Sequence, residues 1–163
     1  MEIDLQAYCD AGFANELHKA GSTGRARSRI GGLLQVGGVV MWFFSARSRT
    51  TPTSTAEAEL VALVRMLRGL VTLRATFMVA FNMTVLQPTS VFEDNMAVIL
   101  MLRRRVISGS GRHVRVAIGY ILDVLDAGHA IVKFVPSKAQ LADVLTKSLV
   151  KDDLRNVCDK LFA

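Results

Sequence analysis

Cysteine is scarce in this chain. Cys9 and Cys158 stand at opposite ends, with no CxxC pair and no Cys/His spacing. That argues against a disulfide framework and a zinc site, and makes a reducing compartment the default. With 3 prolines and 12 glycines in 163 residues, a low-complexity or collagen-like chain is excluded. Long apolar runs are missing too. Two stretches carry no charge, residues 30–46 and 75–92. The first is broken by Gly31, Gly32, Gln35, Gly37 and Gly38, the second by Asn82, Gln87, Pro88, Thr89 and Ser90. A spanning helix needs roughly 20 mostly apolar residues. Both stretches are therefore expected to be core segments, with no membrane partner, despite a mean hydropathy of +0.34. Met1-Glu2-Ile3-Asp4 places no positive charge ahead of an apolar run, so no signal peptide is expected.

Acidic residues are absent from positions 17–56. That window holds Lys19, Arg25, Arg27, Arg29, Arg47 and Arg49, which together equal the net charge of +6. A pI near 9.8 favours a polyanionic partner. Arg25, Arg27 and Arg29 are two apart, as are Arg47 and Arg49, so on strands each set would share a face. A second basic cluster runs through Arg103, Arg104 and Arg105 to Arg112, His113 and Arg115. Solvated edges that discourage strand pairing and phosphate binding both account for these clusters. With 51% apolar and 21% charged residues, the length fits one domain, residues 1–163, with a real core.

Alternation marks a first strand, with Ile3, Leu5, Ala7 and Cys9 on one face and Asp10 at its end on the polar side. Gly37-Gly38 between two apolar runs signals a hairpin. Ser54-Thr55-Ala56-Glu57 reads as a capping box opening a long helix, with Leu60, Leu63, Val64, Leu67, Leu70 and Val71 at helical spacing. Val91 and Phe92 form a short strand running into Asp94-Asn95 and a helix over 96–102. A loop at 108–111 precedes a helix that stops at Gly128, and a strand over 130–135 ends at Pro136. Ser137 to Gln140 predicts a second capping box and a helix reaching about residue 149, followed by an amphipathic piece over 152–162. The order predicts a mixed α/β sheet with helices packed on it.

Four carboxylates stand at element ends: Asp10 and Asp94 after strands, Glu59 and Asp143 near helix starts. Each also has an ordinary role as a turn, cap or surface acid, and Asp94 would serve as the cap of the following helix. At about 100° per residue, Glu59 shares the face of Leu63, Met66 and Leu70, whereas Glu57 lies beside Arg68 on the other side. Glu57 is thus expected to be a surface capping residue. Glu59 points to the sheet, where a carboxylate is costly unless paired or bound to a metal. Asp143 is expected to project with Gln140 and Lys147, away from Leu141, Leu145 and Leu149.

Together these residues carry a resemblance. Tyr8-Cys9-Asp10-Ala11, the glycine hairpin with Trp42, and the basic Ser-rich stretch from Ser45 to Arg49 resemble the RNase H domain of copia-type LTR retrotransposon polyproteins. The run Ser54-Thr55-Ala56-Glu57-Ala58-Glu59-Leu60-Val61-Ala62-Leu63 resembles that family's Ser-Ser-Thr-Glu-Ala-Glu-Tyr-x-Ala-Leu helix. Glu93-Asp94-Asn95 is similar to its Cys-Asp-Asn, and Arg112-His113-Val114 to its Lys-His-Ile. Phe134-Val135-Pro136-Ser137, with Gln140 through Lys147, resembles its closing motif.

The resemblance implies an RNase H-like α/β fold: a five-stranded mixed sheet, its first three strands antiparallel, with helices on both faces. It implies a catalytic, metal-binding quartet of Asp10, Glu59, Asp94 and Asp143 holding two Mg²⁺ ions, with Mn²⁺ as substitute. The implied reaction cleaves the RNA strand of an RNA/DNA hybrid, leaving 3′-hydroxyl and 5′-phosphate ends, with discrimination by 2′-hydroxyls and hybrid shape. Nucleic-acid contacts are expected from Arg25, Arg27, Arg29, Arg47, Arg49, Asn95, Arg112 and His113. A reverse transcriptase domain of the same polyprotein is the expected partner, in a cytoplasmic retrotransposon particle or in the nucleus. The chain also departs from the family. Gly12 stands where a second acid is usual, and Arg115, Ala117, Ile118 and Gly119 replace an acid and Arg-Tyr-His. The stretch at 23–31 is unlike the usual short turn. These changes spare the quartet and bear on substrate grip, so a weakened module that binds nucleic acid or braces a polymerase domain is the alternative.

Overall fold

Residues 4–16, 27–83, 85, 87–105, 111–147 and 151–162 are described by the computed structural model. The chain runs β1 (Leu5–Glu16), β2 (Arg27–Val36), β3 (Val39–Arg47), α1 (Thr55–Phe81), β4 (Thr89–Glu93), α2 (Met96–Arg104), α3 (Arg112–Asp126) and β5 (Ala130–Phe134). Two 3-10 turns follow, Ser137–Ala139 and Leu141–Leu145, and then α4 (Lys151–Phe162). The five strands form one sheet in the order β3-β2-β1-β4-β5. The β3-β2-β1 half is antiparallel, whereas β4 joins β1, and β5 joins β4, in parallel. This is the expected mixed sheet.

Local chemistry explains most boundaries. Gly37 and Gly38 take φ of 56° and 84°, the left-handed pair that a two-residue hairpin requires. Ser54 Oγ accepts from the Glu57 amide and starts α1, and Asn82 ends it in the left-handed region. Asn95, not Asp94, caps α2, accepting from the amides of Ala97 and Val98. The ordinary alternative for Asp94, a helix cap, is thus set aside, and its carboxylate is left available.

Leu60, Leu63, Met66, Leu67 and Leu70 of α1 are buried with Leu5, Ala7 and Cys9 of β1, Leu34 of β2 and Val91 of β4. Each fully buried aliphatic side chain contributes roughly 1.5–3 kcal/mol. Gly31 and Gly32 show how closely both faces of the sheet are covered. A Cβ on Gly32 would lie 2.6 Å from Met66 of α1, and one on Gly31 would lie 2.7 Å from Leu145 Cβ in the second 3-10 turn. Successive strand residues point to opposite faces, so α1 covers one face and the turn the other. No helix among the described residues is long and apolar enough to cross a membrane.

Three expectations need correction. β1 does not end at Asp10; it continues to Glu16, with a register irregularity against β2 beyond Gly12. Residues 137–145 are not an α-helix. Gln140 adopts extended backbone between the two turns, and its buried amide donates to the carbonyls of Cys9, at 2.9 Å, and Phe92. Satisfying two buried carbonyls outweighs continuing a helix. Finally, the charge-free stretches are not wholly core, because Met78, Val79 and Phe81 on α1 and Val39, Met41 and Phe43 on β3 are exposed.

Candidate active site

Cross-strand register explains how the carboxylates meet. Asp10 pairs with Gly31 across β1 and β2, on the face covered by the second 3-10 turn. The bare Gly31 lets that turn sit close, and the Thr146 hydroxyl donates to Asp10 Oδ2. Asp143 therefore arrives beside Asp10 on a short turn. Asp94 follows the end of β4, where Ser137 Oγ donates to its Oδ2 at 2.7 Å. Glu59 comes from the first turns of α1, on the other side of β1, and accepts from the Ala11 amide.

The four predicted site acids come together. Carboxylate oxygens of Asp10, Asp94 and Asp143 lie within 4.8 Å of one another, and so do those of Glu59, Glu93 and Asp94. Asp94 belongs to both groups. An open cleft of about 490 Å³ is lined by Asp10, Glu59, Asp94, Asn95 and Lys147 among others. Asp143 is half-buried, as expected, with Lys147 Nζ 2.6 Å from its Oδ1. Gln140, expected beside Asp143 on a solvent face, is instead buried.

Glu93 escaped the sequence reading. It is fully buried at the end of β4, accepting from the Asn95 amide at 3.0 Å and facing the Cys9 thiol at 3.6 Å. Its alternation with buried Val91 and Thr89 was the available signal. Thr146 and Ser137 were likewise missed as partners of the acids, whereas Lys147 stands beside Asp143 as expected.

Crowding of like charges shows in the protonation of the site. Burial, then the neighbouring Glu93, Asp10 and Asp94, push the Glu59 carboxyl far above its ordinary range. Glu93 is also pushed up, chiefly by burial and by Asp94, against the lowering effect of the Asn95 amide. Asp10 rises more modestly, since the Thr146 bond opposes its burial. Burial and the nearby glutamates raise the Cys9 thiol, so it stays protonated. Lys147 is held charged: burial lowers it, but Asp143 and Asp10 raise it by more.

Two buried carboxylate oxygens among the described residues lack a hydrogen-bond partner, and one of them, Asp143 Oδ1, is met instead by the Lys147 ammonium. The other is Glu59 Oε2. A lone carboxylate oxygen facing other carboxylates is costly unless a cation or a proton is shared. The donors are oxygens of Asp and Glu alone, the set suited to a hard divalent ion such as Mg²⁺ or Mn²⁺. Asp10, Glu59, Asp94 and Asp143 thus fit a metal centre.

Glu57 is not a surface residue. It is buried, accepting from the Thr53 amide and hydroxyl at 2.7 Å each, and from His113 Nε2 at 2.5 Å. Burial alone would raise its carboxyl, but the Thr53 and His113 bonds outweigh it and lower it. Its expected role as a cap survives only through its amide, which donates to Ser54 Oγ. Among the expected nucleic-acid contacts, Asn95 sits in the cleft with its Oδ1 engaged in the α2 cap. Arg27 and Arg29 lie on β2, Arg112 is exposed at the start of α3, and Arg47, Arg49 and His113 line a separate groove. Arg25 lies outside the described residues.

These features define a protein of the RNase H fold with an acidic centre at its sheet. Solved structures share that fold. The N-terminal RNase H domain of a Mycobacterium tuberculosis protein, solved as a maltose-binding-protein fusion, aligns with a TM-score of 0.62 at 15% identity, covering 97% of this chain and 98% of that one. LC11-RNase H1, solved in complex with an RNA/DNA hybrid, aligns at 0.62 and 16% identity over 92% of this chain and 99% of that one. Prototype foamy virus protease-reverse transcriptase aligns at 0.51 and 10% identity, over 98% of this chain and 20% of that one. No family model and no curated protein matches the sequence.

Proposed function

We propose that this chain is a metal-dependent endoribonuclease that hydrolyses the RNA strand of RNA/DNA hybrids. The observation that carries the reading is the convergence of Asp10, Glu59, Asp94 and Asp143 from four separate elements on one RNase H-fold sheet, with Glu59 Oε2 left unpartnered. Asp10, Glu59, Asp94 and Asp143 would hold Mg²⁺ or Mn²⁺, two ions in the full reading. Bound there, the metal supplies Lewis-acid stabilisation of a phosphodiester and an activated water.

The remaining work falls to the protein. Thr146 fixes the rotamer of Asp10, and Ser137 that of Asp94. The Ala11 amide holds Glu59 against β1. Together they aim the acids before substrate arrives, so little reorganisation is needed at the moment of reaction. The wider reading places the domain beside a reverse transcriptase in a retrotransposon polyprotein, acting in a cytoplasmic particle or the nucleus. Its support is the ordered set of motifs from Tyr8 to Leu149.

A second reading, a weakened module that binds nucleic acid or braces a polymerase, draws on Lys147. Its ammonium already holds Asp143 Oδ1 at 2.6 Å, so a metal ion must compete for that oxygen. A labelled hybrid incubated with Mg²⁺, Mn²⁺ or excess EDTA separates the two. The nuclease reading expects RNA-strand cleavage with either metal and none with chelator. Cleavage that survives EDTA, or intact hybrid under every condition, would refute it.

A further inference from the structure

Four arginines line a groove apart from the carboxylate cleft. Arg47, Arg49, Arg65 and Arg68 form it with His113 and Val64; its volume is about 630 Å³, and it shares no lining residue with that cleft. On α1, at about 100° per residue, Arg65 and Arg68 stand roughly 240° and 180° from Glu59. The helix thus separates a basic groove from an acidic cleft. No acidic side chain lines the groove among the described residues.

Two of these guanidinium groups are held in place. Arg65 lies over the Phe44 ring at 4.6 Å, and Arg68 over Tyr120 at 5.5 Å. Stacking fixes the plane of a guanidinium and leaves its N–H edges open, the presentation that suits bidentate phosphate contacts. Arg49, in the bend after β3, is exposed and lies in the same lining. His113, bonded to Glu57 in the first turns of α1, brings the groove to the end of the helix that also carries Glu59.

We propose that this groove is a second nucleic-acid site, in which Arg49, Arg65 and Arg68 bind the sugar-phosphate backbone of a duplex beyond the segment held at the carboxylates. The inference rests on the nuclease reading for the identity of the polyanion. Phosphate is favoured over a carboxylate-bearing peptide because planar arginine forks, fixed on rings, match a run of evenly spaced phosphodiesters. Contacts of this kind position the substrate without reading its sequence.

The test is a salt titration of binding to a fluorescent RNA/DNA hybrid in EDTA, where no metal-dependent cutting occurs, with hybrid cleavage in Mg²⁺ measured alongside. Arg49→Gln, Arg65→Gln and Arg68→Gln should each lower the slope of log affinity against log salt by about 0.9. The loss should be equal for hybrids of different sequence. Lys133→Gln and Arg155→Gln, which remove the same charge elsewhere, should leave the slope unchanged. Arg65→Lys keeps the charge and loses the fork, so it should keep the slope and lower the affinity. An unchanged slope in a folded Arg49→Gln protein overturns the proposal, as does equal competition by poly-glutamate of matched charge. Arginine-dependent binding without cleavage would keep the groove and refute the nuclease reading; cleavage with an unchanged slope would do the reverse.

Discussion

Glu57 and Glu59, two residues apart, test how a position on a helix decides a role. Glu59 Oε2 has no partner and faces other acids, whereas every bond to Glu57 stabilises its charge. Glu59→Gln should therefore abolish hybrid cleavage while raising the stability of metal-free protein, on the order of 1 kcal/mol, because a neutral amide removes the cost of burying an ionisable carboxyl among other acids. Glu57→Gln should do the opposite, costing about 1.5–3 kcal/mol of lost charge-assisted bonds and leaving cleavage in place. Urea melts in EDTA and gel cleavage assays on both variants check the pair. Burial, together with the same crowding, sets a pH dependence. Folding raises the carboxyls of Asp10, Glu59 and Glu93, so above the ordinary carboxylate range the native state binds more protons than the unfolded chain. Their stabilising contribution is present in acid and lost as pH rises through the raised values. Glu57 works in the other direction, contributing at neutral pH and losing its effect on acidification. Three raised groups outweigh one lowered group, so metal-free protein should lose stability from mildly acidic to mildly alkaline buffer. Denaturation at several pH values in EDTA measures this, and a rise across that range would contradict it. Glu59 was legible because its face follows from helical spacing alone. Glu57 was not, since its partner His113 lies 56 residues away and no local pattern links them.

At the scale of elements, the approach of the second 3-10 turn to Gly31 governs whether Asp143 reaches Asp10. A Cβ on Gly31 would meet Leu145 Cβ at 2.7 Å and the Thr146 methyl at 2.8 Å. Gly31→Ala should push that turn away, costing about 1–3 kcal/mol for overpacking and breaking the Thr146 bond to Asp10. Cleavage should fall sharply while β1, α1 and β4 keep Asp10, Glu59 and Asp94 in place. Thermal melts beside initial cleavage rates test this, and full activity would show that the close approach is dispensable. Alternation and capping made the sheet and α1 readable in advance. The turn was not readable, because Gln140 leaves the helical path only to reach carbonyls on β1 and β4. Glu93 was overlooked for a different reason. Its buried parity with Val91 was visible, but an acid continuing an apolar face conflicts with the ordinary cost of burying charge.

Taken as a whole, the molecule divides its charge about α1, with acids and Lys147 on one side and a basic groove on the other. The acid-free window over residues 17–56 raises the expectation of a polyanion partner but gives no sign of this division, which arises because Arg65 and Arg68 join Arg47 and Arg49 only after the helix packs on the sheet. The late position of the second 3-10 turn has a consequence for how the protein is made. Thr146 follows Asp10 by 136 residues, and Asp143 is the last of the four acids to leave the ribosome. At roughly 5–20 residues per second, Asp10, Glu59 and Asp94 wait several seconds for the segment that completes them. On the proposed reading, the unfinished polypeptide lacks a complete cutting centre throughout that interval. Competence is thus timed by translation itself, with no inhibitor needed to restrain the nascent chain.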